Sequence, residues 1–278
     1  MKRLLFIFLI LASFANGQTF DQYRDIPLVN IAEIDGVPIV NADQVDGTTI
    51  FTTTLKDSLI SVWEFDESSG AAADAYADND ITATAYAPSG GKVGGALYFN
   101  GSSDYSYAAN ESNFDGLSTL SVSAWVNVIA FPSTNGLANI VGKGYNAINA
   151  ESFYLRIYNE GGTIKLQFGT YSAPTSYQAS WDISGWGVSE WHHVMAIYNG
   201  NTYKIYFDNT EVASTTTATA PVNTDQPITV GVWKNGALTY DRYFYGYIDQ
   251  VAISKACWTS TERDWLYNSG NLLIYLNW

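Results

Sequence analysis

The chain has 278 residues; the first seventeen read as a leader, leaving a mature protein of about 261, enough for one large all-β domain or two small ones. Hydrophobic residues make up 47% and charged residues 14%, below the roughly 25% charged content usual for soluble domains, which excludes charge-driven disorder. The 13 basic residues less Lys2 and Arg3 leave 11 against 27 acidic, a mature net charge of −16, which argues against nucleic acid or an anionic membrane surface as partner, since both are held by clustered Lys and Arg.

In chain order, Met1-Lys2-Arg3 supplies a positive start, Leu4 to Leu11 an apolar stretch of signal length and Ala15-Asn16-Gly17 a small-x-small cleavage site before Gln18. The expected fate is export as a secreted or cell-surface protein with no membrane insertion, because no stretch approaches the length needed to span a bilayer. Residues 18–56 form a distinct N-terminal arm. There Ile34-Asp35-Gly36-Val37-Pro38-Ile39 recurs eleven residues later as Val45-Asp46-Gly47-Thr48-Thr49-Ile50, two Asp-Gly turn signals between β-branched residues, the pattern of a hairpin or of an assembly arm that needs a neighbour to bury its apolar side chains.

From Leu59 onward, alternating or apolar runs are separated by Asn-Gly, Gly-Gly, Asp-Gly and Pro-Ser turns. They predict strands over Leu59 to Phe65, Ala96 to Asn100, Leu120 to Ile129, Phe153 to Tyr158, Thr163 to Phe168, His193 to Tyr198, Lys204 to Phe207, Ile228 to Val232 and Tyr245 to Ile253. A single helix is expected after Trp258, with Thr259 or Ser260 as cap, Glu262 at capping-box distance from Thr259 and Trp265-Leu266 on the apolar face. The expected fold class is all-β, a two-sheet antiparallel jelly-roll sandwich over residues 57–270 with an extended N-terminal arm, one short C-terminal helix and a last strand in 271–278. The lone cysteine, Cys257, allows no internal disulfide and no cysteine-built metal site.

Six blocks resemble those of the laminin-G-like (concanavalin A-like) lectin and glucanase family, in the family's order: Val62-Trp63-Glu64-Phe65-Asp66-Glu67-Ser68-Ser69-Gly70, Lys92-Val93-Gly94-Gly95-Ala96-Leu97-Tyr98-Phe99-Asn100-Gly101-Ser102-Ser103-Asp104-Tyr105, Leu120 to Val126, Glu190-Trp191-His192-His193-Val194, Tyr203 to Asn209 and Gly246-Tyr247-Ile248-Asp249-Gln250-Val251. The resemblance spans residues 59–270 and implies the sandwich fold; it does not fix an activity, because that fold hosts lectins, adhesion domains, glycan-cleaving enzymes and virion proteins. It also implies a structural calcium where the first and last strands meet, with Asp66 and Asp249 as ligands and Asp104 as an addition. Oxygen-rich turns of this kind suit a hard cation.

The remaining candidates come from the residues themselves. Trp63, Trp125 and Trp191 lie inside strands with apolar neighbours and are expected in the core. His192 and His193 alternate faces on one strand, so they do not converge on one metal or substrate. Glucanases of this fold carry three carboxylates on one face, and here Glu64 and Asp66 share a face whereas Glu67 does not, so no catalytic residue is assigned and a non-enzymatic protein is expected. Ligand binding is assigned to loop aromatics, Trp181, Trp186, Trp233, Tyr240 and Tyr243, whose rings could stack on sugar faces. The function expected is glycan binding or adhesion to a cell-surface protein. The competing reading is a structural subunit of an extracellular or viral assembly, docked through residues 18–56 and 271–278 onto copies of itself or other assembly partners, and a glycoside hydrolase or polysaccharide lyase is the distant third.

Overall fold

The structure is a computed structural model; it describes residues 58–267 except 85, 110–111, 146–149, 218 and 236–238, and, of what precedes, the backbone of four short strands. The leader at 1–17 and the strand expected in 271–278 lie outside the described residues. The chain divides into two units, Met1–Asp57 and Ser58–Trp278.

In the first unit β1 (Glu33–Ile34) pairs with β2 (Val37–Pro38), and β3 (Ala42–Val45) with β4 (Thr48–Phe51), both antiparallel. The closing pairs Ile34↔Val37 and Val45↔Thr48 each leave two residues between strands, and in both places the sequence is Asp-Gly. Asp-Gly suits the two-residue hairpin because both central residues need positive φ.

The second unit contains β5 (Leu59–Trp63), β6 (Ala71–Ala72), β7 (Ile81–Ala83), β8 (Tyr86–Ala87), β9 (Ala96–Asn100), β10 (Ser106–Ala108), β11 (Leu120–Val128), β12 (Leu137–Tyr145) and β13 (Ala150–Glu160). There follow β14 (Thr163–Ser172), β15 (Thr175–Asp182), β16 (Trp191–Tyr198), β17 (Thr202–Phe207), β18 (Thr210–Thr216), β19 (Ile228–Val230), β20 (Trp233–Asn235), β21 (Thr239–Asp241), β22 (Tyr245–Ser254) and the helix α1 (Ser260–Tyr267). One sheet runs β15-β14-β13-β12-β19-β10-β7-β6 with β20 and β21 attached beside β12, and the other runs β18-β17-β16-β11-β22-β9-β8 with β5 on β22. Strand alternation sends Val122, Ala124 and Val126 of β11 and Phe153, Leu155 and Ile157 of β13 into one buried apolar cluster between the sheets. This is the expected jelly-roll sandwich.

Three long strands escape the sequence signal for separate reasons. β12 carries Gly142 and Gly144, β15 reads Thr-Ser-Tyr-Gln-Ala-Ser-Trp-Asp, and β18 is a largely exposed edge of Thr, Ser and Glu; none shows the apolar repeat that identifies a strand. β19 stops at Val230, two residues short of expectation, because Gly231 turns the chain at φ +70, where a Cβ would lie 2.3 Å from the Phe99 ring. The helix forms as its capping box predicts: Thr259 N–H donates to Glu262 Oε2 at 2.7 Å and Glu262 N–H to Thr259 Oγ1 at 3.3 Å.

Of the three strand tryptophans, Trp63 is buried between the sheets, its Nε1 donating to the Asn79 carbonyl at 2.8 Å. Trp125 is buried outside that cluster, stacked with Tyr267 of α1. Trp191 corrects the expectation of core packing: it is half-buried, in register with Asn127 of β11, which is in turn paired with Tyr247 of β22 and through it with Tyr98 of β9. Residues in register across neighbouring strands point to the same face, and here that row lies on the outer side of the sheet.

Candidate binding cleft

A cleft of about 450 Å³ is lined by Leu137, Glu151, Arg156, Tyr171, Ser176, Asn235 and Arg242. It lies on the outer face of the sheet that contains β13, β14 and β15. On that face residues stand in rows across the strands: Tyr154 is in register with Gly169 and Gly169 with Gln178, while Arg156 is in register with Gln167 and Gln167 with Ser180. Gly169 has no side chain, so the Tyr154 phenol reaches over it and donates to Gln178 Oε1 at 2.6 Å. Beside it Arg156 Nε donates to Gln167 Oε1 at 3.1 Å, and the guanidinium lies 3.7 Å from the centroid of the Tyr154 ring.

Glu151 reaches this face only because β13 is irregular. Between the pairs Glu151↔Tyr171 and Tyr154↔Gly169 the strand advances three residues against two on β14. The extra residue of the bulge reverses the alternation, so Glu151 joins Tyr154 and Arg156 instead of facing the core. Its two carboxylate oxygens then take two arginines, Oε2 from Arg156 Nη1 at 3.3 Å and Oε1 from Arg242 Nη1 at 2.7 Å. Arg242 follows β21 at φ +52, its carbonyl accepts the Asn139 N–H at 2.8 Å, and its guanidinium lies 4.8 Å from the centroid of the Trp233 ring. Burial lowers the Arg156 pKa and pushes the Tyr154 phenol up to about 12.

The expected ligand-binding aromatics are distributed differently. Trp233 is 0% exposed, so it offers no free face to a sugar; it belongs to the cleft as the surface on which Arg242 rests. Trp186 is 8% exposed and packed among Phe131, His192 and Phe207, and its stacking role is likewise overturned by burial. The small residues Gly185 and Gly187 beside it do not open the ring to solvent. Trp181 is partly buried against the core, 5.0 Å from Phe207. Tyr240 stacks on Tyr105 at 4.8 Å with Lys234 Nζ over its ring, and Tyr243 is half-buried nearby in sequence.

The acids of the expected calcium site meet at a loop. Asp66 Oδ1 accepts the Gly95 N–H at 2.7 Å and Asp249 Oδ2 accepts the Val93 N–H at 3.0 Å, so the two carboxylates hold opposite ends of one glycine-rich segment. Gly94 is required there: it has φ +63, and a Cβ would lie 2.2 Å from Asp66 Oδ1. Asp249 is fully buried, and burial, helped by the charge of Asp66, pushes its carboxyl up to about 8 against the pull of the Val93, Gln250 and Lys92 N–H groups. Its Oδ1 has no hydrogen-bond partner among the described residues. Asp104 is engaged elsewhere, its Oδ2 accepting the Asn100 N–H at 3.0 Å within its own turn. Among the described residues no three His, Cys, Asp or Glu side chains cluster as a metal site.

The neighbouring carboxylates do not keep the face assignment expected of them. β5 ends at Trp63 and Phe65 has φ +58, so strand alternation no longer relates Glu64 to Asp66. Burial, followed by the charges of Asp66 and Glu67, raises the Glu64 pKa, and Glu67 Oε1 accepts the Ala73 N–H at 2.8 Å. His192 and His193 do alternate: His193 lies against Trp125 and Tyr267, and His192 against Phe207 and Trp186 with Nδ1 2.8 Å from Asp208 Oδ2.

Sequence reasoning missed the lining residues Leu137, Glu151, Arg156, Ser176 and Arg242, and Gln167 and Gln178, which hold Arg156 and Tyr154. The available signal was the series Tyr154-x-Arg156, Gln167-x-Gly169-x-Tyr171 and Ser176-x-Gln178, long polar side chains alternating with core residues in three consecutive segments. Such a series normally reads as a solvated face; that Arg156 is only 8% exposed and Gln167 3% becomes visible only in the fold.

A laminin G family model of the concanavalin A-like lectin/glucanases superfamily matches residues 99–262, and the chain belongs to that superfamily. No curated protein matches the sequence. Among solved structures it is similar to domain 4 of AbnA, an extracellular GH43 arabinanase from Geobacillus stearothermophilus solved with arabinotriose, with TM-score 0.55 and 20% identity over 77% of this chain and 98% of that one. It is also similar to the binding domain of botulinum neurotoxin DC in complex with SialylT, with TM-score 0.55 and 12% identity over 78% and 52%. A sialidase of Trypanosoma rangeli in complex with sialic acid gives TM-score 0.54 and 16% identity over 82% and 35%. The chain therefore spans nearly all of the arabinanase domain, about half of the neurotoxin domain and about a third of the sialidase, and at these identities the likeness is one of fold.

Proposed function

We propose that this protein is a secreted, non-enzymatic glycan-binding module whose ligand lies in the cleft over β13, β14 and β15. The observation that carries the reading is the cleft itself: an apolar wall at Leu137, a ring at Tyr171, and polar groups of Glu151, Arg156, Ser176, Asn235 and Arg242 converging on one concavity. Sugars need this combination, apolar contact for C–H faces and fixed donors and acceptors for hydroxyls. Two of the similar structures, the arabinanase domain and the neurotoxin binding domain, were solved with an oligosaccharide or sialylated ligand, which supports the same reading here. A role without catalysis is supported by the carboxylates near Glu64, since Asp66 and Glu67 are spent on holding backbone N–H groups. Export through residues 1–17 belongs to the proposal. No helix among the described residues is long and apolar enough to cross a membrane.

The test is a glycan array on the wild type followed by Ser176→Trp, a substitution at an exposed position on the cleft wall that fills the concavity without entering the core. Binding by the wild type and its loss in the folded variant is the expected result. Binding unaffected by Ser176→Trp moves the ligand elsewhere, and release of reducing ends from any bound glycan contradicts the non-enzymatic reading.

The calcium implied by the family fits in part. Asp249 contributes a buried oxygen without a partner and Asp66 lies close enough to influence it, so these two would hold the ion; Asp104, committed to its own turn, would not. A bound cation would fix the seam between the first and last strands and the 91–95 loop, a structural role remote from ligand chemistry.

A further inference from the structure

Arg156 and Arg242 are held in the same manner. Each guanidinium lies over an aromatic ring, Tyr154 at 3.7 Å and Trp233 at 4.8 Å, and each gives one Nη1 to a different oxygen of Glu151. Ring stacking fixes the plane of a guanidinium and leaves its N–H groups pointing outward along the edge. Each has five N–H donors; the bonds to Glu151 and Gln167 use two of those on Arg156, and the bond to Glu151 uses one on Arg242. Both side chains line the cleft.

The cleft is less acidic than the rest of the molecule. The whole chain has 27 acidic against 13 basic residues, yet the cleft lining has two guanidiniums and one carboxylate. Asp241 stands beside the cleft with Oδ1 3.6 Å from Arg242 Nε and Oδ2 accepting from Asn235 Nδ2 at 3.1 Å, so it offsets the remaining positive charge and leaves Arg156 the more deeply buried cation. For a neutral sugar, a buried Arg156 and a partly buried Arg242 sharing one carboxylate are a costly way to provide hydroxyl contacts, since desolvating charge is expensive. A planar anion is the ligand that repays it, because guanidinium and carboxylate match edge to edge.

We infer that the cleft selects an acidic saccharide, a unit bearing a carboxylate such as a uronic or sialic acid, with that carboxylate on Arg156 and Arg242 and the ring hydroxyls on Ser176 and Asn235. The inference rests on the glycan-binding reading and sharpens it to a substrate class.

The test uses matched ligands of one skeleton: oligogalacturonate and its fully methyl-esterified form, and sialyllactose and its methyl ester, titrated calorimetrically into the full mature chain. The acid forms are expected to bind at least about tenfold more tightly than the esters, the difference shrinking at high salt. Arg242→Gln should narrow the ratio of acid to ester affinity toward one, and Asp241→Asn, at a side chain 41% exposed, should strengthen acid binding a few-fold. Acid and ester bound equally well, or an acid preference untouched by both variants, overturns the inference while the glycan reading stands. Failure of every oligosaccharide, neutral or acidic, on a broad array overturns both.

Discussion

Removing Trp186 and removing Trp233 should have different consequences although both side chains are buried. Trp186 packs between Phe131, His192 and Phe207, so Trp186→Ala should cost about 3–5 kcal/mol of stability in denaturant unfolding and leave glycan affinity unchanged in the fraction that folds. Trp233→Phe keeps the core filled but alters the ring under Arg242, and should weaken binding of the acidic ligand with a smaller stability loss. His193 gives the pH dependence. Burial lowers its pKa from 6.5 to about 3, with Asp208 opposing, so the unfolded chain takes up a proton below about pH 6.5 that the folded chain refuses. Stability is therefore full above pH 6.5 and falls as pH drops toward 3, by an amount on the order of a few kcal/mol. The melting temperature of wild type should fall relative to that of His193→Phe as pH drops from 7 to 4, and parallel curves would contradict the assignment.

The bulge in β13 is the element that makes the cleft. By simple parity Glu151 belongs with Phe153, Leu155 and Ile157, which face the core, and only the extra residue before Tyr154 turns it to the outer face. Periodicity could show that β13 is a strand, and the run Phe153 to Tyr158 did so; it carries no sign of a bulge that lies in two residues of ordinary character. The start of the helix was legible to within a residue because Thr259 and Glu262 encode it locally. β14 contributes Gly169, where a Cβ would lie 2.2 Å from the Tyr177 carbonyl and 2.7 Å from Gln178 Cα. The backbone of β15 cannot yield as a flexible side chain would, so Gly169→Ala should push β15 away from β14, lengthen the Tyr154 to Gln178 bond and lower both melting temperature and ligand affinity. A variant as stable and as tight-binding as the wild type would show that the sheet adapts there at no cost.

At the scale of the molecule the sandwich was readable because its family blocks sit where strands must fill a core or turn tightly, as at Trp63, Gly94 and Asp249. The cleft was not, because its residues vary in type and come together through register across β13, β14 and β15, a relation the linear sequence does not display. Aromatics expected in loops were read as exposed rings, yet a chain with 15% aromatic residues has to place many of them inside, and Trp186 and Trp233 are among those. The seam at Asp66 and Asp249 makes a prediction of its own: calcium binding to the folded state alone must raise the melting temperature by mass action. Millimolar calcium against chelator should shift the midpoint by a few degrees, roughly the effect of 1–2 kcal/mol in a domain of this size, and Asp249→Asn should abolish the shift. An unchanged midpoint in the wild type would remove calcium from the account.

The central claim is that ligand is held over β13, β14 and β15, and amide chemical-shift mapping during titration with an oligosaccharide identified on the array tests it most directly. The account predicts that the largest shifts fall on Glu151, Arg156, Tyr171, Ser176, Asn235 and Arg242. Shifts confined to the opposite sheet, around Tyr98, Tyr247 and Trp191, would contradict it.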